Sequence, residues 1–300
     1  METMSYPYLG DLVYALTGVR LPLPIAMFGL FVAFAMLAAG AILSRELRRL
    51  HLAGAIGPAR RRGVEVAPHT LVSDFTVVVM VAGVVGARVF HILEHTDSFA
   101  ADPLAMIFSR SGLSVFGGLI FGGVAGWAML RRWQLPLRPF MDAIVPALML
   151  GYAIGRLGCQ VSGDGDWGTL ADMAAKPGWL PTWLWAQTYQ NNIVGEIIAA
   201  PGVYPTPIYE SVMALACFGL LWALRRHTRP AGWLFSLYLV LAGAERLLIE
   251  QIRVNVRFEL LGLRFTQAEL IALLFIAAGL AGMLLARQSS HRRGATTRRL

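Results

Sequence analysis

Charge is scarce in this chain. Of its 300 residues only 15% are Asp, Glu, Lys or Arg, against 56% hydrophobic, and the mean hydropathy is +0.58. That balance excludes an ordinary soluble domain. Cysteine is scarcer still. Cys159 and Cys217, both in or beside apolar runs, give neither a disulfide framework nor a metal-ligand pattern. They read as buried thiols, with Cys159 of added interest because Arg156 lies three residues before it. Residues 1–22 lack a basic stretch and carry Glu2 and Asp11, while the first long apolar run is followed at once by Arg45, Arg48 and Arg49. A retained span is expected there rather than a cleaved signal. No repeat relates the two halves, which counts against a transporter built on repeats, even with a broken helix at 155–168.

What the chain has instead is apolar length. Windows long enough to cross about 30 Å of hydrocarbon at roughly 1.5 Å per residue run over 23–43, 70–93, 114–130, 140–158, 208–224, 231–250 and 265–286. The expected fold is all-α: a single polytopic membrane domain of about seven transmembrane helices. Residues 1–22 are expected to lie on the outer surface. Residues 160–207, with Trp179, Trp183, Trp185 and Tyr189, read as a small outer head at the bilayer interface, and 287–300 as a basic tail. The segment 44–69 reads as a solvated basic connection.

The net charge of +8 follows this topology rather than a nucleic-acid partner. Seventeen of the 26 Lys and Arg residues fall in the alternate segments 44–69, 131–139, 225–230 and 287–300. Six fall on the opposite side (Arg20, Arg110, Lys176, Arg253, Arg257 and Arg264), and Arg88, Arg156 and Arg246 lie within spans. The positive-inside rule then puts the N-terminus outside and the C-terminus in the cytoplasm, with anionic lipid heads as possible contacts of the basic side.

Charges inside spans are costly, about 2.5–3.5 kcal/mol at a helix centre, so they face a bundle interior, a cavity or an anionic group. Arg156 ends an apolar run in GYAIGRLGCQVSGDGDWG (151–168), whose glycines Gly155, Gly158, Gly163 and Gly165 suit a helix that unwinds around a ligand. The alternative for Arg156 is snorkelling to the interface. In AGAERLLIEQIRVNVR, Arg246, Glu250 and Arg253 recur at i, i+4 and i+7 and share one helical face. Two cations against one anion form an internal salt bridge or leave a surplus suited to a phosphate.

Arg88 in GARVFHILEH needs a partner. His91 and His95 at i, i+4 can share a metal, but no third ligand has suitable spacing and none is expected; nor is a cofactor. Gly118, Gly122 and Gly126 form an i, i+4, i+8 stripe suited to close helix packing, or to a lipid chain, after a polar entry at Ser111, Gly112 and Ser114. In YPTPIYE (204–210) Glu210 reads as a charge in the first turn of a helix, and Thr266 and Gln267 as capping or headgroup contacts at the start of the last span.

Taken in order, these segments resemble prolipoprotein diacylglyceryl transferases. GRLGCQVSGDGDWG (155–168) is similar to the family signature, more often G-R-x-G-N-F-x-N-G-E. YPTPIYE resembles H-P-[ST]-x-x-Y-E, GARVF (86–90) a G-x-R motif, GLSVFGGLI (112–120) a G-[ML]-[ST]-F-H-G-G segment, and RLLIEQIR (246–253) R-F-x-x-E-x-x-R. RFTQAEL (264–270) resembles the final segment loosely.

The resemblance implies an enzyme of the bacterial inner membrane. Such an enzyme moves a diacylglyceryl group from phosphatidylglycerol to the lipobox cysteine of a preprolipoprotein signal peptide, releasing glycerol 1-phosphate. It implies Arg156 and Arg246 as phosphate-binding catalytic residues with Glu250 beside them. Arg253, Gly163, Asp164, Asp166, Phe116, Gly117, Gly118, Arg88 and Glu210 are then expected around the substrates.

Four positions depart from the family pattern. Phe116 stands where a histidine implicated in thiol activation is usual, Phe28 and Ala242 where tyrosines are expected, and Cys159 at the signature asparagine. A phenyl ring accepts no proton. Glu250, Asp164 or Asp166 then replaces the base, or the arginine pair suffices. The other reading is a relative that serves another acceptor or only binds an anionic phospholipid.

Overall fold

The computed structural model describes residues 3–109, 112–227, 229–260 and 263–297; Arg110 and Ser111 lie outside the described residues. All seven apolar windows are helical. Five helices are long and apolar enough to cross a membrane: α2 (Met27–Leu52), α3 (Val72–Glu94) with the 3-10 turn Pro68–Leu71 before it, α7 (Leu137–Ser162), α8 (Thr206–Leu224), and Gln267–Gln288 of α10 (Gln267–Thr297). The windows 114–130 and 231–250 form α6 (Val115–Arg132) and α9 (Trp233–Glu250), of 18 residues each; α9 carries three charged residues, Glu245, Arg246 and Glu250, in its last turns. Short helices α1 (Leu9–Thr17), α4 (Thr96–Ala101) and α5 (Pro103–Phe108) complete an all-α membrane fold.

Two small hairpins were not expected. The basic segment 44–69 is not simply a solvated connection: it folds into β1 (Ala59–Arg61) and β2 (Val64–Val66), paired antiparallel with Arg60 opposite Glu65. A second hairpin, β3 (Arg257–Leu260) with β4 (Leu263–Thr266), leads into α10. There Thr266 and Glu269 exchange backbone-to-side-chain hydrogen bonds (2.8 and 3.1 Å), so Thr266 is a helix cap.

The chain divides into two compact units, residues 40–140 and residues 1–39 with 141–300. In the first, α3 and α6 pack face to face. The closest approach is at Gly86 and Gly117, where an added Cβ on Gly117 would overlap the Gly86 carbonyl. The glycine stripe continues that contact, with Gly122 facing Val79 and Gly126 facing Phe75. Without a hydrophobic driving force between helices in lipid, such backbone proximity is what holds the pair.

In the second unit, α9 packs against α8 and α10. Val145, Met149, Leu221, Trp233, Leu234 and Ala286 form a buried core drawn from α7, α8, α9 and α10. Gly243 meets the Ala272 carbonyl and Ile276 of α10, and Gly279 meets Ser236 and Val240 of α9. Asp142 of α7 accepts hydrogen bonds from the backbone N–H groups of Gly232 (2.6 Å) and Phe235 (2.8 Å), so its carboxylate sits on the positive end of α9. The Ser211 hydroxyl donates to the Ala153 carbonyl (3.0 Å), which pins α8 to α7 and fixes where Glu210 points.

Candidate functional site

The segment after α7 turns sharply at Gly163 (φ 60°) and Gly165 (φ 94°), a region that favours glycine. At Gly163 a Cβ would also press on Ser5 Oγ (2.7 Å) and the Asn192 Cβ (2.8 Å). The chain then runs back beside the end of α9. Thr169 N–H donates to the Ile252 carbonyl (2.7 Å), and Gly168 lies so close that a Cβ would stand 2.5 Å from that oxygen. Thr206 Oγ1 donates to the Asp166 carbonyl (2.6 Å). These contacts deliver Asp166 to the point where α7 and α9 end and α8 begins.

Six charged side chains meet there. Arg156 of α7 is paired with Asp166 and holds its Nε 2.9 Å from Glu210 Oε2. Arg246 of α9 reaches Glu250 Oε2 at 2.8 Å and Glu210 Oε1 at 3.7 Å. Arg253 bridges Asp166 Oδ1 (2.8 Å) and Glu210 Oε1 (3.3 Å). Asn255 Nδ2 donates to Glu250 Oε1 (2.7 Å), and the Arg156 guanidinium lies 5.0 Å from the Tyr152 ring centroid. Glu210 is the hub. Its side chain has no solvent exposure and touches all three guanidinium groups.

The expectation of Glu210 as a simple first-turn charge is therefore corrected. So is the expected positive surplus: three arginines face three carboxylates, because Asp166 and Glu210 arrive from elements outside α9. Snorkelling of Arg156 is excluded by the same pairs.

The cluster is balanced in charge but incomplete in hydrogen bonds. The Arg156–Glu210 and Arg246–Glu250 contacts are ion pairs by distance, yet Glu210 Oε2 and Glu250 Oε2 have no aligned donor, and the buried Arg253 Nε–H has no acceptor among the described residues. Buried groups left in this state are uncommon and mark strain or the place of a ligand. Arg246 is the most exposed of the three arginine side chains, at 28% against 17% for Arg156 and 12% for Arg253.

Asp164 and Asp166 differ although two residues apart. Burial alone would raise Asp166, but Arg156 and Arg253 outweigh it and hold the carboxyl below the usual range. Burial pushes Asp164 up, helped by the negative charge of Asp166, and Asp164 has no arginine partner among the described residues.

Sequence reasoning missed Glu245. It is 5% exposed, its Oε1 is buried without a hydrogen-bond partner among the described residues, and it lies within electrostatic reach of Arg156 and Glu210. The only signal was a carboxylate next to Arg246 inside an apolar helix.

The remaining expected residues lie in the other unit. Arg88 donates to the backbone carbonyls of Met106 (3.2 Å) and Ser109, so its partner is the end of α5. Phe116 is 41% exposed at the start of α6, Gly117 is buried against Gly86, and Gly118 makes ordinary contacts with Gly83 and Ala87. A third group near His91 and His95 does exist, contrary to the spacing argument: Glu94 brings its carboxylate within 4.8 Å of the histidine nitrogens, while its Oε1 accepts from Ser114 Oγ (2.8 Å). Cys159, Asp164 and Asp166 also lie within 4.8 Å of one another, but both Asp166 oxygens are already taken by arginines.

The model of the family described as prolipoprotein diacylglyceryl transferase matches residues 16–285. Among similar proteins, all named phosphatidylglycerol–prolipoprotein diacylglyceryl transferase, one from Corynebacterium efficiens is 32% identical over 226 residues, covering 69% of this chain and 66% of that protein. One from Dehalococcoides mccartyi is 28% identical over 219 residues, 72% of this chain and 77% of the relative. One from Leptospira interrogans is 36% identical over 154 residues, 50% and 44%. The chain spans just under two thirds of the Corynebacterium efficiens protein that it matches. With its arginine and carboxylate motifs gathered at one helix-end cluster and matched along nearly all of its length, this chain belongs to the prolipoprotein diacylglyceryl transferase family.

Proposed function

We propose that this protein transfers a diacylglyceryl group from phosphatidylglycerol to the lipobox cysteine of a preprolipoprotein, at the outer face of the bacterial inner membrane. The N-terminus is outside and the C-terminus cytoplasmic. The observation that carries the reading is the three-arginine cluster around Glu210, whose buried Arg253 Nε–H has no acceptor among the described residues.

In this reaction the thiol sulfur forms a thioether bond to the glycerol carbon of the lipid. The bond from that carbon to the phosphate oxygen breaks, and glycerol phosphate leaves. The thiol proton passes to a carboxylate and ends on the phosphate monoester or in solvent, so charge and protons balance. Guanidinium groups fixed near the departing phosphate stabilise the charge that gathers there. Arg246 fits the direct phosphate contact, being the most exposed and only loosely tied to Glu210. Arg156 and Arg253 are held by Asp166 and Glu210 and supply the surrounding field.

Phe116 supplies no base. Of the carboxylates weighed as its replacement, Asp166 and Glu250 each carry an arginine on an oxygen. Asp164 has none among the described residues, nor has Glu245, which the structure adds to the candidates, and these two are our choice for the proton acceptor. Incubation of the purified protein with phosphatidylglycerol and a lipobox peptide tests the reading; lipid binding without a lipidated thiol would favour a non-catalytic lipid-binding relative.

A further inference from the structure

The hairpin β1–β2 closes a groove of about 790 Å³ against the start of α3 and the end of α6. The Arg60 N–H donates to the Trp133 carbonyl (3.0 Å), which fixes the hairpin to α6. Four arginines line the groove: Arg60, Arg61 and Arg62 from the hairpin and Arg132 from α6. One carboxylate answers them, Asp74 of α3, and it is spent on Arg61 at 2.6 Å. Glu65 stands opposite Arg60 in the ladder. Three guanidinium groups thus stand in one concavity without an ion-pair partner among the described residues. Its other wall is apolar, formed by Val77, Val78, Met129 and Trp133; Val77 is 53% and Val78 42% exposed on an apolar helix.

The turn of this hairpin gives a second, independent observation. Its two central residues, Arg62 and Gly63, have φ of 50° and 85°. A two-residue turn with positive φ at both places favours Asn, Asp or Gly at the first. Arginine there carries a Cβ into the left-handed region, and strain of this kind is retained mainly where the side chain has a task. The turn that would fold best with Asn-Gly instead points an arginine at a groove already holding three.

We propose that this groove binds the phosphate of an anionic phospholipid, with one acyl chain lying along Val77 and Val78. Guanidinium is the side chain that matches a phosphate bidentately. The exposed valines let a lipid enter sideways from the bilayer while its head stays with the arginines. The groove is made only of residues 60–134, so it is a second lipid site that shares no residue with the Arg156, Arg246 and Arg253 cluster.

Native mass spectrometry of the full chain in detergent, titrated with dioleoyl phosphatidylglycerol, tests this. The wild type is expected to hold one more lipid than R60Q/R62Q/R132Q, whose affinity for that lipid falls at least about tenfold, while Arg246→Gln keeps it. Dioleoyl phosphatidylcholine is expected to bind the groove at least several-fold more weakly, and sn-glycerol 3-phosphate not to displace the lipid. An unchanged lipid count in the triple variant would overturn the proposal. So would equal binding of phosphatidylcholine, or displacement by sn-glycerol 3-phosphate, which would make the site one for a soluble phosphate ester. Arg62→Gly guards against a folding artefact: it relieves the turn, so its melting temperature is expected to hold or rise while lipid affinity drops several-fold. An Arg62→Gly protein with wild-type lipid affinity would remove Arg62 from the site.

Discussion

Arg156 Nε stands 2.9 Å from Glu210 Oε2, and that carboxylate, with no solvent exposure, is shared with Arg246 and Arg253. One buried anion therefore holds three cations from two helices and the segment after them. Removing it leaves buried positive charge uncompensated, a change that costs about 3–5 kcal/mol. Glu210→Gln should lower the melting temperature of the detergent-solubilised protein markedly and abolish transfer. A variant of wild-type stability would contradict the hub role.

In the proposed reaction Arg246 is the arginine that meets phosphate, because 28% of its side chain is exposed. Arg246→Ala should lower the transfer rate by about 10²–10³-fold, the usual loss when one donor to a developing charge is removed. Its stability loss should be smaller than that of Glu210→Gln. Lysine keeps the charge but not the fork, so Arg246→Lys should recover only part of the rate.

Asp164 and Asp166 should respond oppositely to neutralisation. Asp166 is held below its ordinary range, so its contribution to stability is present above the unfolded value of about 3.9 and is lost as pH falls through the lower folded value. Melting curves of Asp166→Asn should lie below wild type from pH 8 to about 5 and converge with it only in stronger acid. Asp164 is raised, so stability falls as pH rises from the unfolded value of about 3.9 and the loss is complete above the folded value. Asp164→Asn should leave stability at pH 4 nearly unchanged and increase it at pH 7–8.

If proton acceptance belongs to the carboxylates without an arginine, Glu245→Gln and Asp164→Asn should slow transfer while phosphatidylglycerol still binds. The larger kcat loss would identify the acceptor. Loss of lipid binding in both would show instead that these residues shape the lipid site.

Glycine is needed at one place on α6 and not at the next. An added methyl at Gly117 runs into the Gly86 backbone, whereas at Gly118 it meets Gly83 O at 3.5 Å, an ordinary contact. Gly117→Ala should destabilise the α3–α6 pair by about 1–3 kcal/mol, and Gly118→Ala should be close to neutral. Thermal unfolding of both proteins in one detergent checks this.

What could be read from the sequence is what apolar surroundings make conspicuous. Arg156, Arg246, Glu250 and Arg253 stand out because charge is costly within hydrocarbon, and the structure brings all four together. By its charge Glu210 is no more conspicuous than any carboxylate near a helix start, and only the resemblance carried by YPTPIYE points to it. Its burial depends on Ser211 pinning α8 to α7, a contact between residues 58 positions apart. Nor could Asp164 be told from Asp166, since the turns at Gly163 and Gly165 decide which carboxylate faces the arginines. The β1–β2 hairpin escaped for a local reason: its strands have three residues each, and an arginine occupies the turn position where asparagine is the usual signal.

The central claim is that the arginine cluster serves a transfer to a thiol. The direct measurement is mass analysis of a lipobox peptide incubated with the purified protein and phosphatidylglycerol, with glycerol phosphate measured in the same reaction. A peptide carrying a diacylglyceryl thioether, matched by an equal amount of glycerol phosphate and absent with Arg246→Ala, is the predicted result. Unmodified peptide under conditions where an active relative lipidates it, although this protein binds phosphatidylglycerol, would contradict the account.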